Sequence, residues 1–269
     1  MADVEYEVVD AVATITLNRP ESMNTMGGEL LVLTNAYLAQ AASDGNVRAV
    51  VLTGTGRAFC AGGDLRDMAS GNRGAPSRAV GPVSVSRAIN DLRHQMRSSQ
   101  LLREMPKITI AAINGACAGA GFSWACACDL RYAAESAVFN TAFLTAGLSG
   151  DFGGTWTLPR IVGPAKAREL YLMPEKFGAT EALRIGLVSA VVADHEFAAF
   201  IREKAARAAS FAPLTTASVK ANLNDADHVS FSEALDLEAG RHIRAGLTED
   251  SREAARAFLD KRPARFTGR

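Results

Sequence analysis

The sequence lacks an excess of charge of either sign, because 29 lysines and arginines balance 29 aspartates and glutamates in its 269 residues. A protein dedicated to nucleic acid needs a basic surface, since it must displace the counterions that screen the phosphates. The charge balance therefore argues against a nucleic-acid partner. Hydrophobic residues make up 48% of the chain, as in an ordinary globular protein, so we expect a sizeable core that needs no disulfides.

Cysteine and histidine are scarce, with four of each. No two cysteines form a CxxC pair and the histidines are scattered, so the sequence contains no zinc-binding template and we expect no metal. The cysteines lie among apolar or small residues, which predicts buried free thiols in a reducing compartment. They are Cys60, Cys117, Cys126 and Cys128.

A leader segment and a membrane span are also missing from the sequence pattern. Residues 1–7 are acidic and contain no apolar stretch of the kind found in a signal peptide. One long uncharged run, residues 108–128, contains Asn114 and several glycines and is rich in alanine rather than leucine. A buried strand, turn and helix explain this run better than a transmembrane helix. We therefore expect a cytoplasmic protein with no membrane partner.

Neither of the common nucleotide-binding motifs is present. The chain has no GxxxxGK[ST] sequence, and Gly54-Thr-Gly56-Arg-Ala-Phe59 has phenylalanine where the dinucleotide fingerprint has its third glycine. These absences argue against a P-loop nucleotidase and against a Rossmann dehydrogenase.

Strand and helix signals divide the chain into two parts. Apolar or alternating stretches rich in β-branched residues predict strands in the first part. After Gly163 strand signals nearly vanish and helical spacing dominates. We predict an α/β core over residues 1–199 and a helical region over residues 200–269. The clearest predicted strands are residues 5–9, 12–17, 47–53 and 108–113.

Three segments rich in small residues adjoin predicted strands and helices, at residues 57–65, 114–123 and 147–156. Small residues let a ligand approach the backbone, and a helix that starts there presents unpaired N–H groups. Two such turns facing each other could aim two donors at one carbonyl oxygen and stabilise an enolate or a tetrahedral oxyanion. For any single segment, the glycines could equally serve tight turns and close packing.

Taken together, the segments resemble the crotonase (enoyl-CoA hydratase/isomerase) family over nearly the whole chain. The resemblance implies an α/β fold built as a crotonase-like spiral of ββα units, with a C-terminal helical trimerisation region. It also implies a homotrimer or a dimer of trimers that acts on acyl-CoA. The matching pieces, in order, are Leu17-Asn-Arg-Pro20 with Asn24, Val50-Val-Leu-Thr-Gly54, Ala58-Phe-Cys-Ala-Gly-Gly-Asp64-Leu65, Ala111-Ala-Ile-Asn-Gly115-Ala-Cys-Ala-Gly119-Ala120-Gly121 and Gly153-Gly-Thr155.

The same resemblance assigns roles to individual residues. The backbone N–H groups of Ala61 and Ala120 would form an oxyanion hole around the thioester carbonyl oxygen. Coenzyme A would arrive as part of the substrate, so no separate cofactor is implied. For Asp64, capping of a helix after two glycines is the stronger expectation. The residues implied in substrate contacts are Gly62, Gly63, Asp64, Leu65, Phe143 and Lys261.

Two positions depart from the pattern of the family's hydratases. Those enzymes add water across an enoyl thioester with two glutamates, and the matching positions here hold Ser123 and Phe143. Neither side chain can act as a carboxylate acid or base at neutral pH. This departure argues against ordinary hydration.

Asp151 is the remaining carboxylate in the matching part of the sequence. Residues 142–160 around it resemble those of bacterial 1,2-epoxyphenylacetyl-CoA isomerases, as do residues 257–268 around Lys261. The resemblance implies that Asp151 shuttles a proton between carbons of the acyl chain; in a related dehalogenase an aspartate here is a nucleophile. Alternatively, Asp151 caps the helix that starts near Gly153. The orientation of the carboxylate separates these hypotheses.

Other functions stay open from the residues alone. Ser123, Asp151 and His195 follow one another in the order of a hydrolase triad. However, the turn at residues 114–115 puts Ser123 inside a helix, and His195 is expected at the surface. A CoA-ester-binding protein without catalysis, or a hydratase with a different acid/base pair, would also fit the missing glutamates. The leading hypothesis is an enzyme that isomerises an enoyl-CoA or a related acyl-CoA.

Overall fold

The computed structural model describes residues 2–64 and 84–269. Within these residues the strands form two sheets. The larger sheet has six strands, parallel except for an antiparallel hairpin at one edge. In sheet order its strands are β1 (Val4–Val9), β2 (Val12–Leu17), β3 (Ala49–Gly54), β5 (Ile108–Ile113), β7 (Leu130–Ala134) and β10 (Ala190–Val192).

The central strands of this sheet are covered on both faces. β3 and β5 are buried along most of their length, as their continuous apolar sequences predict for parallel strands. One face packs into the main hydrophobic core around Phe122 and Trp124. The other face packs against Phe197 and Ile201, which belong to a helix that follows the last strand. The four clearest strand predictions are confirmed within two residues at each end.

The smaller sheet consists of short strands. β4 and β6 pair in parallel, with Cys60 beside Cys117. Each follows a long strand of the larger sheet and leads into a glycine-rich turn, so the pairing brings the two turns together. In sheet order the strands are β4 (Ala58–Cys60), β6 (Ala116–Ala118), β8 (Val138–Asn140) and β9 (Phe177–Gly178).

Helices cover the sheets and make up the C-terminal part. Residues 85–104 form two helices that meet at Met96. The predicted domain boundary at residue 200 falls inside the helix Asp194–Ala209, and the division stays a prediction. The described helices are α1 (Leu30–Ser43), α2 (Val85–Gln95), α3 (Arg97–Glu104), α4 (Gly119–Ala127), α5 (Gly154–Val162), α6 (Pro164–Leu172), α7 (Ala179–Arg184), α8 (Asp194–Ala209), α9 (Pro213–Asp225), α10 (Phe231–Gly246) and α11 (Glu249–Leu259).

All four cysteines are buried and free, as predicted. In residues 2–64 and 84–269 there is no group of three or more histidine, cysteine, aspartate or glutamate side chains arranged to hold a metal ion. None of the helices described above is both long enough and apolar enough to cross a membrane.

A buried lysine fixes α9 to the central sheet. Lys220 is 6% exposed, and its ammonium group donates to the carbonyl oxygens of Leu102 and Lys107 at 3.1 and 2.9 Å. It also donates to the Asp129 carboxylate at 2.7 Å, and the same carboxylate oxygen accepts from the N–H and the hydroxyl of Thr109 on β5. Burial lowers the pKa of Lys220, and the charge of Asp129 opposes this shift.

Replacement of this lysine tests the network. Lys220→Met is expected to lower the free energy of unfolding by about 3 kcal/mol, because Asp129 and two carbonyl oxygens lose their donor. Denaturant titration followed by circular dichroism measures the change. Lys176 is exposed, so Lys176→Met is the matched control and should change stability by less than about 0.5 kcal/mol. Equal effects of the two substitutions would contradict a stabilising role for the network.

Candidate active site

Two glycine-rich turns contact each other through main-chain atoms. A side chain at Gly62, whose φ is +91°, would place its Cβ 2.9 Å from the carbonyl oxygen of Ala118 and 3.3 Å from the nitrogen of Ala120. At Gly121 a Cβ would lie 2.3 Å from the carbonyl oxygen of Cys60. Only glycine permits so close an approach. The glycines therefore serve close packing, and this packing brings the amide groups of both turns to one place.

Two backbone amides at this contact donate to no acceptor in residues 2–64 and 84–269. Ala120 is the second residue of α4, so its N–H is among the four that a helix leaves unpaired. Gly63 is exposed and forms an isolated parallel β-bridge with Met26, and its N–H has no acceptor in the same part of the chain. A Cβ at Gly63 would meet no atom of the described residues within 4 Å. The arrangement suits a ligand carbonyl oxygen that needs two donors.

The Ala61 amide is not available, and the prediction that it is a free donor is wrong. Its N–H donates to the carbonyl oxygen of Met23 at 3.1 Å, and an amide of this kind has a single hydrogen to donate. Gly63, predicted only as a substrate contact, is the free donor of this turn. The sequence could not separate Ala61 from Gly63, because the choice depends on a contact with a distant segment of the chain.

Asp151 does not cap the helix that follows it. The N-cap of α5 is Gly153, and the hydrogen bond that Asp151 accepts there, from the N–H of Gly154 at 3.3 Å, goes to its backbone carbonyl. Its carboxylate oxygen Oδ1 is shielded from solvent and has no hydrogen-bond partner in the described part of the chain. Burial raises the pKa of Asp151 from 3.8 to about 6. The capping hypothesis is therefore wrong.

The Asp151 carboxylate interacts electrostatically with the strand that leads into the first turn. The pKa of the Cys60 thiol is raised to about 12, mainly by burial and also by the charge of Asp151. Cys60 comes three residues before Gly63, and its Sγ would lie 2.8 Å from a Cβ at Gly121 in the first turn of α4. A Cβ at Gly154, three residues after Asp151, would also lie 2.4 Å from Ser123 Oγ on α4, the helix whose first turn holds the free Ala120 amide. The segment that carries Asp151 therefore packs against the helix that provides one of the two amides.

The backbone is strained on two sides of this region. Ala142 has a φ of +58° and Phe152 a φ of +50°, values that residues with side chains rarely adopt. Each such conformation costs about 1–2 kcal/mol and has to be held by its surroundings; Phe152 packs edge-on against Trp124, with ring centroids 5.7 Å apart. The strained residues directly precede Phe143 and follow Asp151, two predicted site residues.

Phe143, Tyr171 and Ser123 lie close to these groups. Phe143 is 4% exposed but belongs to neither hydrophobic core cluster of the described residues, and its ring stacks on Tyr171 with centroids 6.1 Å apart. The Ser123 hydroxyl is buried and donates to the carbonyl oxygen of Gly119 at 3.4 Å, one turn back in α4. Neither Phe143 nor Ser123 can replace a catalytic glutamate.

The hydrolase arrangement is wrong. The His195 side chain is 82% exposed at the start of α8, with Nε2 3.7 Å from Glu196. Ser123 is fully buried within α4, as the position of the preceding turn predicted. An exposed histidine and a buried serine hydroxyl cannot share the proton that a triad transfers.

Three predicted substrate contacts are not tested by the structure. Leu65 lies outside the described residues. Asp64 accepts a hydrogen bond from the Thr25 hydroxyl at 3.2 Å, and the segment it was expected to cap begins where the description stops. Lys261 is exposed just after α11, with a φ of +52°, and its N–H donates to the carbonyl oxygen of Phe258 at 3.2 Å. The substrate roles of these three residues stay predictions.

The sequence matches the enoyl-CoA hydratase/isomerase family over residues 7–269. The chain belongs to this family. A Rhodobacter capsulatus protein named probable enoyl-CoA hydratase is 40% identical over 267 residues, which cover 99% of this chain and 98% of that protein. The 1,2-epoxyphenylacetyl-CoA isomerase of Escherichia coli is 38% identical over 97% of each chain. The crystal structure of an enoyl-CoA hydratase from Bacillus anthracis has a TM-score of 0.90 at 30% identity, over the full length of both chains.

Membership of the enoyl-CoA hydratase/isomerase family and this structural match confirm the crotonase fold. The protein is therefore an enzyme of a family that acts on acyl-CoA. Its relatives carry both hydratase and isomerase names, so the reaction has to be argued from the residues of the site.

Proposed function

We propose that the protein isomerises an enoyl-CoA or a related acyl-CoA by moving a proton between carbons of the acyl chain. The observation that carries the proposal is the Asp151 carboxylate, whose Oδ1 is buried without a partner among the described residues and whose pKa is raised to about 6. A group with this pKa is ionised at pH 7, yet it binds a proton strongly enough to take one from carbon and return it.

The two free amides provide the other half of the proposed reaction. The thioester carbonyl oxygen accepts hydrogen bonds from the N–H groups of Gly63 and Ala120, and these bonds strengthen as negative charge moves onto the oxygen. Asp151 takes a proton from one carbon, and the electron pair of that C–H bond is delocalised in the enolate. The pair then forms a C–H bond at another carbon with the same proton, so the double bond shifts. The carboxylate ends as it began, and no second acid or base is needed.

The remaining predicted residues are proposed to hold the substrate. Coenzyme A enters as part of that substrate, so the proposal includes no separate cofactor, no metal and no nucleic acid. Asp151 and the backbone amides perform the chemistry. The proposed contacts to the acyl-CoA are Gly62, Gly63, Asp64, Leu65, Phe143 and Lys261.

Assembly into a homotrimer or a dimer of trimers in the cytoplasm is also part of the proposal. The C-terminal helices support it, because Phe231, Leu247 and Phe258 are 80%, 70% and 84% exposed in the single chain. Exposed large apolar side chains in this number are typical of surfaces that association buries. Sedimentation velocity of the full chain tests this statement.

Hydration of crotonyl-CoA is expected to be slow. Ser123 and Phe143 stand where the family's hydratases have glutamates, and Asp151 alone would have to activate the water and protonate the α-carbon. The assay follows the loss of enoyl absorbance and compares it with isomerisation of a β,γ-unsaturated acyl-CoA by the same preparation. A kcat/KM for hydration above about 10⁵ M⁻¹ s⁻¹, within the range of efficient enzymes, would contradict the proposal.

A hydratase with a different acid/base pair is the second candidate. It is favoured by the name of the Rhodobacter capsulatus relative, which is 40% identical to this chain. The same assay separates the two candidates, because a hydratase would consume crotonyl-CoA faster than it moves a double bond. A CoA-ester-binding protein without catalysis is the weaker alternative, since it gives no reason for a buried carboxylate that caps no helix.

A further inference from the structure

The loop that carries Asp151 contains several residues in the left-handed conformation. Gly150 and Gly153 have φ values of +109° and +79°, which glycine adopts without strain. Phe152, between Asp151 and Gly153, has a φ of +50° and is strained. The backbone on both sides of Asp151 is therefore left-handed, and the direction of the carboxylate depends on Phe152 staying in this conformation.

The side chain of Phe152 opposes the relaxation of its backbone. The residue is 3% exposed, and its ring packs edge-on against Trp124, with centroids 5.7 Å apart and an interplanar angle of 85°. A change of φ would carry the ring out of the core, and burial of an aromatic ring outweighs the strain of one left-handed residue. The contact with Trp124 thus helps to hold the turn at Asp151.

The Trp124 ring is itself fixed by a hydrogen bond. Trp124 is fully buried, and its Nε1–H donates to the hydroxyl of Ser98 on α3 at 2.8 Å. Ser98 is also fully buried and donates its proton to the carbonyl oxygen of Gln95 at 3.0 Å. The indole cannot turn away from Phe152 without leaving a buried N–H unpaired.

Trp124 and one of the two oxyanion donors belong to the same helix. Trp124 follows Ala120 by four residues on α4, which is about one turn and about 6 Å along the helix axis. The helix therefore fixes the Ala120 amide and the indole relative to each other. A catalytic base has to be held within about 0.5 Å of its productive position, and this arrangement refers the position of Asp151 to the donor of the thioester oxygen.

We propose that Trp124, oriented by Ser98, is a positioning residue. Its ring holds Phe152 in the left-handed conformation and so directs the Asp151 carboxylate toward the acyl chain bound at the Ala120 amide. Trp124 acts through Phe152 and not on the substrate. This inference rests on the proposed function, because it needs Asp151 as the group that moves the proton.

A double-mutant cycle tests whether Trp124 acts through Phe152. Phe152→Gly keeps the left-handed conformation accessible but removes the ring, and Trp124→Leu removes the other half of the contact. Each should lower the kcat for isomerisation of a β,γ-unsaturated acyl-CoA about ten- to hundredfold, because a group misplaced by about 1 Å loses up to this much. Calorimetry should show an unchanged Kd for a CoA ester. The double variant should match Phe152→Gly within about twofold, since both changes remove one contact.

A pH profile separates positioning from a general loss of stability. A carboxylate that is no longer held in its buried position has a pKa below about 6 and closer to its ordinary value of 3.8. The rise of kcat/KM with pH should therefore move to lower pH in Phe152→Gly and in Trp124→Leu. Cys60 and Tyr171, whose pKa values Asp151 raises, stay neutral over this range and do not contribute.

Phe122 offers a matched control on the same helix. It is fully buried, and its ring packs edge-on against Phe139, with centroids 6.4 Å apart and an interplanar angle of 81°. Phe122→Leu should lower the melting temperature, as loss of core packing does, but leave kcat and the pH profile unchanged. If Trp124→Leu does not fold, Trp124→Phe takes its place in the cycle: it keeps a ring, loses the bond to Ser98, and should show part of the same loss.

Three results would overturn the inference. The first is an original kcat and pH profile in a folded Trp124 variant, the second is an equal loss of kcat in Phe122→Leu, and the third is additive losses in the double variant. Failure of the proposed function is a different result, in which Asp151→Asn leaves exchange of the substrate's α-protons unchanged. The inference would then fail with it.

Discussion

Asp151→Asn is expected to slow isomerisation of a β,γ-unsaturated acyl-CoA by about two to four powers of ten, the usual worth of a positioned acid/base. Asparagine keeps the shape of the side chain but cannot take up a proton. Exchange of the substrate's α-protons with deuterated water, followed by NMR, should fall in parallel, because it needs the same proton transfer. Affinity for a CoA ester should survive, since the amides of Gly63 and Ala120 are unchanged.

The matched control is an aspartate outside the site. Asp194, at the start of α8, accepts a hydrogen bond from the N–H of Ser136 at 3.0 Å, and Asp194→Asn should leave both turnover and exchange at their original values. If Asp151→Asn also leaves them there, the proton shuttle is wrong, although the fold and family stand.

Because the pKa of Asp151 is raised, both turnover and stability are expected to depend on pH. Turnover should rise with pH through about 6 as the carboxylate ionises. Folded protein holds the proton up to about pH 6, whereas the unfolded chain loses it near 3.8, so the folded state loses stability as pH rises through this window. Asp151→Asn removes this loss. The variant should therefore gain melting temperature relative to the original protein between these pH values and keep the gain above them.

Gly63→Pro is expected to lower turnover by about two to three powers of ten, because proline has no N–H and one of the two oxyanion donors is lost. The loss should appear in kcat more than in the affinity for a CoA ester, since the hydrogen bond strengthens as the enolate forms. Steady-state kinetics with a β,γ-unsaturated acyl-CoA, together with calorimetry, separate the two effects.

Alanine at the same position is the control for this change. A Cβ at Gly63 would meet no atom of residues 2–64 and 84–269 within 4 Å, and alanine retains the N–H, so Gly63→Ala should keep turnover within about threefold of the original value. Circular dichroism and melting temperature show whether the proline variant has kept its fold. A folded Gly63→Pro protein with full turnover would remove Gly63 from the mechanism.

The long strands could be predicted from the sequence, whereas the short strands β4 and β6 could not. Continuous apolar sequence marks β3 and β5, because a parallel strand covered on both faces must be apolar throughout. β4 and β6 have three residues each. This is too short for the alternation of apolar and polar residues that identifies a strand to be recognised. They exist because the neighbouring long strands hold them side by side, which is a property of the assembled sheet.

The sequence predicted which kinds of groups form the site, but not all of the individual residues that provide them or how those residues are arranged. The resemblance drew attention to Asp151, but the N-cap of α5 is Gly153, and Phe152 between the two has a positive φ that no local pattern predicts for a phenylalanine. The choice of Gly63 over Ala61 depends on a hydrogen bond to Met23. Tyr171 gave no signal, since a tyrosine in a helix is usually ordinary packing and its polar neighbours come from distant segments.

The reactivity of the four buried thiols can be used to measure how often the hydrophobic core opens to solvent. Burial raises the pKa of Cys60, Cys126 and Cys128 to about 12 and that of Cys117 well above its usual range. Alkylating reagents attack thiolates, so a closed molecule is inert and each alkylation event records a fluctuation that exposes the core. Cys60 and Cys117 lie on the strands that lead into the two turns. The rates at which these two thiols are alkylated therefore measure how often the main chain next to the oxyanion donors opens. A ligand that binds only the closed form would lower the alkylation rate in proportion to the fraction of protein that it occupies.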